Sequence, residues 1–158
     1  MNNLTFQDSK ALYKVTISKK LMKYIQKLCH QSLPNETGGI LIGYYTDKLN
    51  LAVVTKILNA PADSRSGPTW FYRGTSGIKK SLDTLWKSKK QFYIGEWHYH
   101  PNSSSNLSYQ DIKQMKFIAN SPSYNCPEPI LLIIGGNDLK WEESIYIFTK
   151  GKEYIYLR

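Results

Sequence analysis

The run Ile130-Leu131-Leu132-Ile133-Ile134-Gly135 constrains the fold most. It is apolar at every position rather than at alternate ones. A strand of that kind needs cover on both faces, as central strands have. The rest of the chain supplies the cover. Strand-like stretches fall at Tyr13 to Ile17, Gly39 to Tyr45, Leu49 to Leu58, Thr69 to Tyr72, Gln91 to His100, Trp141 to Thr149 and Glu153 to Leu157. Turns are expected at Thr46-Asp47-Lys48 and at Lys150-Gly151. Three helices are expected between the strands. Ser18 caps the first, which runs to about Ser32 with Leu21, Tyr24, Ile25 and Leu28 on one stripe. Ser76 caps the second, to about Lys90, with Ile78, Leu82, Leu85 and Trp86 inward. Ser108 caps the third, through Ile112, Met115, Ile118 and Ala119. Asn59 to Pro68 and Asn120 to Pro129 read as loops, each a candidate to meet a substrate. Hairpins mixed with crossover helices predict an α/β (α+β) fold, a mixed sheet flanked by helices in three layers. At 158 residues, the chain is the length of one ordinary domain spanning 1–158.

The chemistry concentrates in Glu96-Trp97-His98-Tyr99-His100-Pro101 and the segment that follows it. On a strand, residues two apart share a face, so both imidazoles point the same way, as does Glu96. Pro101 ends the strand, a polar Ser/Asn loop follows, and Asp111 falls at the third position of a helix capped by Ser108. A helix start favours the ionised carboxylate that a zinc ligand must be. An open zinc site needs three such protein ligands. Each feature also has an ordinary reading: Ser108 and Asp111 as a capping box, and the histidines as half-exposed strand residues. His30, near the end of the first helix, reads as structural.

The spacing His98-x-His100-Pro101, then Ser108, then Asp111 resembles the signature of the JAMM metalloproteases, also called JAB or MPN domains. Upstream, Asn35-Glu36-Thr37-Gly38-Gly39-Ile40-Leu41-Ile42-Gly43 resembles that family's glutamate and glycine-rich strand. The resemblance covers roughly Val15 to Phe148. It implies a three-layer, cytidine-deaminase-like architecture. It implies one Zn2+ per chain held by His98, His100 and Asp111, with Glu36 as general base and Ser108 as donor to the oxyanion. The reaction it implies is hydrolysis of a peptide or isopeptide bond after the C-terminus of a ubiquitin-like protein, in deconjugation or precursor processing. Glu96 departs from the family, whose members often carry an aromatic residue there. It is a candidate to orient a ligand imidazole, a surface carboxylate, part of the substrate rim, or a competitor of Glu36 for the role of base. The short chain and the Gly95-Glu96-Trp97-His98 variant are similar to prokaryotic JAB proteases found beside ubiquitin-like conjugation enzymes in phage-defence gene clusters. Two other readings are a JAB-fold scaffold without turnover and a JAB-like DNA-processing protein.

Bulk properties narrow the classes. No segment is long and apolar enough for a membrane span, and no N-terminal signal pattern is present. Cys29 and Cys126 stand far apart with no Cys-x-x-Cys pairing, which suggests a reducing cytoplasm and excludes the Pro-Cys-x-x-Cys segment of zinc deaminases. The net charge is +9. Its lysines are spread widely, densest at Lys79-Lys80 and Lys87 to Lys90, and read as a solvated surface rather than a nucleic-acid patch.

Overall fold

The computed structural model describes residues 2–46, 50–149 and 153–158. The expected turns at Thr46-Asp47-Lys48 and Lys150-Gly151 lie largely outside them. Ten strands are described: β1 (Asn3–Gln7), β2 (Lys14–Ser18), β3 (Thr37–Tyr45), β4 (Leu51–Leu58), β5 (Arg65–Gly67), β6 (Trp70–Tyr72), β7 (Phe92–Pro101), β8 (Ile130–Asn137), β9 (Lys140–Phe148) and β10 (Tyr154–Leu157). Helices α1 (Lys19–Ser32), α2 (Ile78–Lys89) and α3 (Tyr109–Asn120) punctuate them. Eight strands form one sheet in the order β1-β2-β4-β3-β7-β8-β9-β10, and β5 and β6 pair as a separate hairpin. β2 with β4 and β7 with β8 are parallel, and the other pairs are antiparallel. The mixed three-layer architecture is therefore present.

The apolar run on β8 serves both layers. Ile130, Leu132 and Ile134 pack with Met22, Ile25 and Cys29 of α1 on one face. Leu131 and Ile133 pack with Leu85 of α2 and Met115, Ile118 and Ala119 of α3 on the other. β7 reaches the same division through a bulge. Leu41 of β3 faces Gly95 and Ile42 faces Tyr93, so Ile94 is the extra residue on β7. The bulge puts Ile94 and Trp97 together in the α1 core, while Tyr93 lies in the α2/α3 core. Strand alternation after Trp97 then turns His98 and His100 toward α3.

Four local expectations change. Tyr24, expected on the stripe of α1, is exposed, and Met22 and Cys29 are buried beside Ile25 instead. β1 has no counterpart in the sequence reading; it is half-exposed and held by pairing with β2. Ser76 does not cap α2. Gly77, in the left-handed conformation at φ 76°, occupies that position, and no side chain caps the helix. The backbone N–H groups of Thr75 and Ser76 go instead to the carboxylate of Asp63. Trp86 is not inward: it is 51% exposed, set edge-on to Phe92, with the Lys90 ammonium 4.9 Å above its ring. Ser18 caps α1 as expected, accepting from the N–H of Leu21 at 3.1 Å.

The two edges of the large sheet meet. Gln7 at the end of β1 and Arg158 beyond β10 exchange reciprocal backbone hydrogen bonds of 2.9 Å. The sheet therefore curls until its outermost strands touch at one end.

Candidate metal centre

The site assembles where β7 ends, because Pro101 and the polar loop after it turn the chain back into α3. Ser108 and Asp111 form a complete capping box. The Ser108 hydroxyl accepts from the Asp111 N–H at 3.1 Å, and the Asp111 carboxylate accepts from the Ser108 N–H at 2.8 Å. The cap aims the carboxylate back at β7. Asp111 Oδ1 lies 2.8 Å from His98 Nδ1, and Oδ2 lies 3.2 Å from His100 Nε2. His100 Nδ1 lies 3.3 Å from the Ser104 carbonyl, which orients the ring from behind.

All three side chains are buried, with His98 and Asp111 each only 4% exposed. Burial alone would raise the Asp111 carboxyl. The bonds from His100, His98 and the Ser108 backbone, with the charge of His98, hold it well below the usual carboxylate range. His100 is raised: burial opposes its cation, but Asp111 and Glu36 favour it more strongly.

Glu36 joins from β3, immediately before its first residue. Thr37 pairs with Tyr99 and Gly38 with His98, so extending the register one residue brings Glu36 opposite His100. Burial raises its carboxyl above the usual value and Asp111 adds to the shift, while the two imidazoles act against it. The glycine beside it is needed for space: a Cβ on Gly38 would run into the Trp97 carbonyl, the Phe71 ring and the His98 ring. The structure thus gathers Glu36, His98, His100, Ser108 and Asp111 at one place.

Glu96 is different. It is fully buried, which excludes the surface-carboxylate and rim readings. Its Oε1 accepts a hydrogen bond from Arg73 Nε at 2.9 Å and lies 2.8 Å from Nη2 in an ion pair. Its Oε2 has no partner among the described residues, and no hydrogen bond links it to His98. Sequence reading missed Arg73; the only signal was the departure at Glu96, a carboxylate in a strand too apolar to bury it without a cation. Sequence reading also missed Phe71, whose ring meets His98 edge-on at a centroid distance of 5.7 Å. The expected loop at Asn59 to Pro68 is in part the hairpin strand β5, and the loop at Asn120 to Pro129 contains a single 3-10 turn, Pro122–Tyr124. His30 stands apart, paired with Asp138 at 2.6 Å on the exposed surface. Cys29 and Cys126 are free and buried.

Among the described residues, no three His, Cys, Asp or Glu side chains surround a common point at metal distance. The histidines close onto Asp111 by hydrogen bonds instead. The donor set nevertheless fits zinc by type, two imidazoles and an ionised carboxylate, already touching. One further atom favours an ion: among the described residues, His98 Nε2 is buried without any protein partner. A buried polar nitrogen left unpaired is costly, and a metal is a partner suited to an imidazole.

Residues 18–145 match the family of prokaryotic homologs of the JAB domain. This chain belongs to that family. A CD-NTase/cGAS isopeptidase of Enterobacter hormaechei subsp. hoffmannii is 38% identical over 159 residues, covering 100% of this chain and 88% of that protein. A second CD-NTase/cGAS isopeptidase, from Escherichia coli, is 29% identical over 88% of this chain and 86% of its own length. A protein of Sinorhizobium fredii named a probable metalloprotease is 29% identical, over 71% of this chain and 70% of its own length. The solution structure of a Desulfitobacterium hafniense protein shares the fold of this JAB-family chain with a TM-score of 0.63, 20% identity and coverage of 87% and 86%.

Proposed function

We propose that the protein is a zinc-dependent isopeptidase that cleaves the amide joining the C-terminal carbonyl of one protein to a lysine of another. The observation that carries this reading is the buried His98–Asp111–His100 cluster, with a raised carboxyl at Glu36 beside it. In this reading His98, His100 and Asp111 hold the ion. Zinc bound there supplies Lewis acidity and a water of pKa about 7.

The chain's own residues do the remaining work. Glu36, partly shielded from solvent, takes a proton from the attacking water as its oxygen bonds the carbonyl carbon, and gives that proton to the lysine nitrogen as the amide C–N bond breaks. Ser108 accepts one hydrogen bond through its oxygen from the Asp111 N–H. Its hydroxyl proton remains free to donate to the carbonyl oxygen as charge develops there. The two roles of Ser108 are therefore compatible. His100 is steadied by Ser104 and His98 by Phe71, which shields that side of the ring from water.

The similarity to two CD-NTase/cGAS isopeptidases supports a substrate in which a CD-NTase is the conjugated protein, attached as a ubiquitin-like protein would be. The proposed setting is the cytoplasm, beside conjugation enzymes of a phage-defence cluster. The test is a cleavage assay on a purified CD-NTase–lysine conjugate, and on a ubiquitin-like protein with a C-terminal extension. We expect cleavage of the former that stops with a zinc chelator and returns with added zinc. Cleavage that persists after the metal is stripped overturns the mechanism. Cleavage of the ubiquitin-like fusion alone overturns the substrate.

A further inference from the structure

Arg73 lies just beyond the β5–β6 hairpin, and its guanidinium is almost wholly enclosed, with 3% of its side chain exposed against 0% for Glu96. Its donors reach three segments. Nε donates to Glu96 Oε1 on β7, Nη1 donates to the Gly74 carbonyl, and Nη2 donates to the Tyr124 hydroxyl at 2.8 Å while lying 2.8 Å from the same Glu96 oxygen in an ion pair. Burial works against the cation, and the Glu96 carboxylate more than offsets this. Glu96 is two residues before His98, on the strand that carries both histidines.

The hairpin that Arg73 terminates touches the site twice. The Gly67 carbonyl of β5 accepts the backbone N–H of Glu36 at 2.9 Å. Phe71 of β6 rests on the His98 ring. Among the described residues, β5 and β6 pair only with each other, outside the main sheet, so the sheet ladder does not fix where they sit. Something else must. Apart from the Gly67–Glu36 backbone bond and the Arg73–Tyr124 bond, the polar ties of this region run among its own residues, from Ser64 to Gly74 and from Asp63 to Thr75 and Ser76. Those bonds hold the ends of the segment to each other, and the Arg73–Glu96 pair fastens the segment to β7.

The geometry points to Arg73 and Glu96 as a buried clamp that seats the β5–β6 hairpin over the histidine strand and thereby positions Glu36 and His98. Both are positioning residues, since neither reaches the reacting atoms. A planar, five-donor guanidinium suits the task because it bonds a carboxylate and two further oxygens at fixed angles. A lysine offers no such fork. The inference needs the proposed activity only for its kinetic arm, because its primary readout is backbone exchange at Glu36.

The test compares the intact protein with Arg73→Lys and with the double variant Arg73→Met/Glu96→Met. Replacing both charges by apolar groups of similar length leaves no orphaned ion, so the double variant is expected to stay folded. We expect the Glu36 amide to exchange with solvent at least tenfold faster in the double variant, while the Leu132 and Ile133 amides keep their protection. Cobalt(II) should still bind, one per chain, with an altered visible spectrum. Turnover of a conjugate should fall at least tenfold in kcat, with little change in KM. Arg73→Lys should fall between wild type and the double variant in both amide exchange and kcat. Unchanged Glu36 exchange in the folded double variant overturns the clamp. So does loss of protection spread evenly over Glu36, Leu132 and Ile133, which would make the pair merely structural. If the double variant does not fold, Arg73→Lys decides by the same amide comparison. Absence of cleavage by the wild type, with the exchange results as expected, would overturn the proposed function and leave the clamp standing.

Discussion

At the scale of single residues, the site separates into groups whose roles can be told apart by substitution. Glu36→Gln removes the base and leaves the ligand set intact. Metal content should remain at one per chain while kcat drops by about two to four orders of magnitude, the range of a general base. Ser108 is testable through its double use. Ser108→Ala should cost about 1 kcal/mol in chemical denaturation through the lost cap, and Ser108→Gly only a few tenths. Both should lose roughly a hundredfold or more in kcat, because neither has a hydroxyl. An active Ser108→Gly variant would make that residue a cap and nothing more. The thiols give a contrasting prediction. Burial pushes Cys126 up to about 12 and raises Cys29 as well, so neither is a thiolate near neutrality. Alkylating reagents should leave both unmodified in the native protein and label both after denaturation. Stability should fall as pH rises above about 9, where the unfolded chain ionises these thiols and the folded one does not. Of this scale, the ligand types and their spacing were legible in the sequence, since strand alternation and a helix cap are local rules. The partner of Glu96 was not legible, because Arg73 lies on a different loop and nothing local links the two.

At the scale of elements, the register of β7 beyond the bulge at Ile94 decides which layer receives the histidines. Alternation along β7 predicts that Glu96, His98 and His100 share a face, and it cannot tell which helix that face meets. The pairing with β3 beyond the extra residue sets the answer. Deleting Ile94 should leave Tyr93 opposite Ile42 and Gly95 opposite Leu41, so the ladder becomes regular and the histidines still face α3. The expected result is one metal per chain retained, measured on purified protein by elemental analysis, with lower stability from the lost core side chain. Loss of stoichiometric metal would show that the bulge itself, and not only the register beyond it, shapes the site. The same limit on local reading explains the second helix. Ser76 has the residue type of a cap, but Asp63, thirteen positions away, takes its backbone N–H, and Gly77 begins the helix. β1 carried a local signal, since Asn3-Leu4-Thr5-Phe6-Gln7 alternates polar and apolar, but at five half-exposed residues it depends on pairing with β2 to stand as a strand. β6 was legible as the strand expected over Thr69 to Tyr72, whereas β5, three residues inside the expected Pro/Ser/Gly loop, is too short for periodicity to register.

At the scale of the whole molecule, the central strand, the three helices and the mixed layering follow from apolar patterning, which survives any detail of loops. The meeting of β1 with β10 does not, because it depends on the accumulated twist of eight strands. It pairs the backbone groups of Gln7 and Arg158, which at an open sheet end would be offered to another chain. Gln7→Pro removes the N–H that bonds the Arg158 carbonyl. We expect it to lower stability by about 1 kcal/mol and to increase self-association with concentration, as read by light scattering after size exclusion. A variant that remains monodisperse would mean that the remaining contacts suffice. Joined in this way, the two chain ends of the described sheet fasten each other. Fraying that starts at β1 or at β10 must first break the Gln7–Arg158 pair before it travels inward toward the strand bearing the two imidazoles.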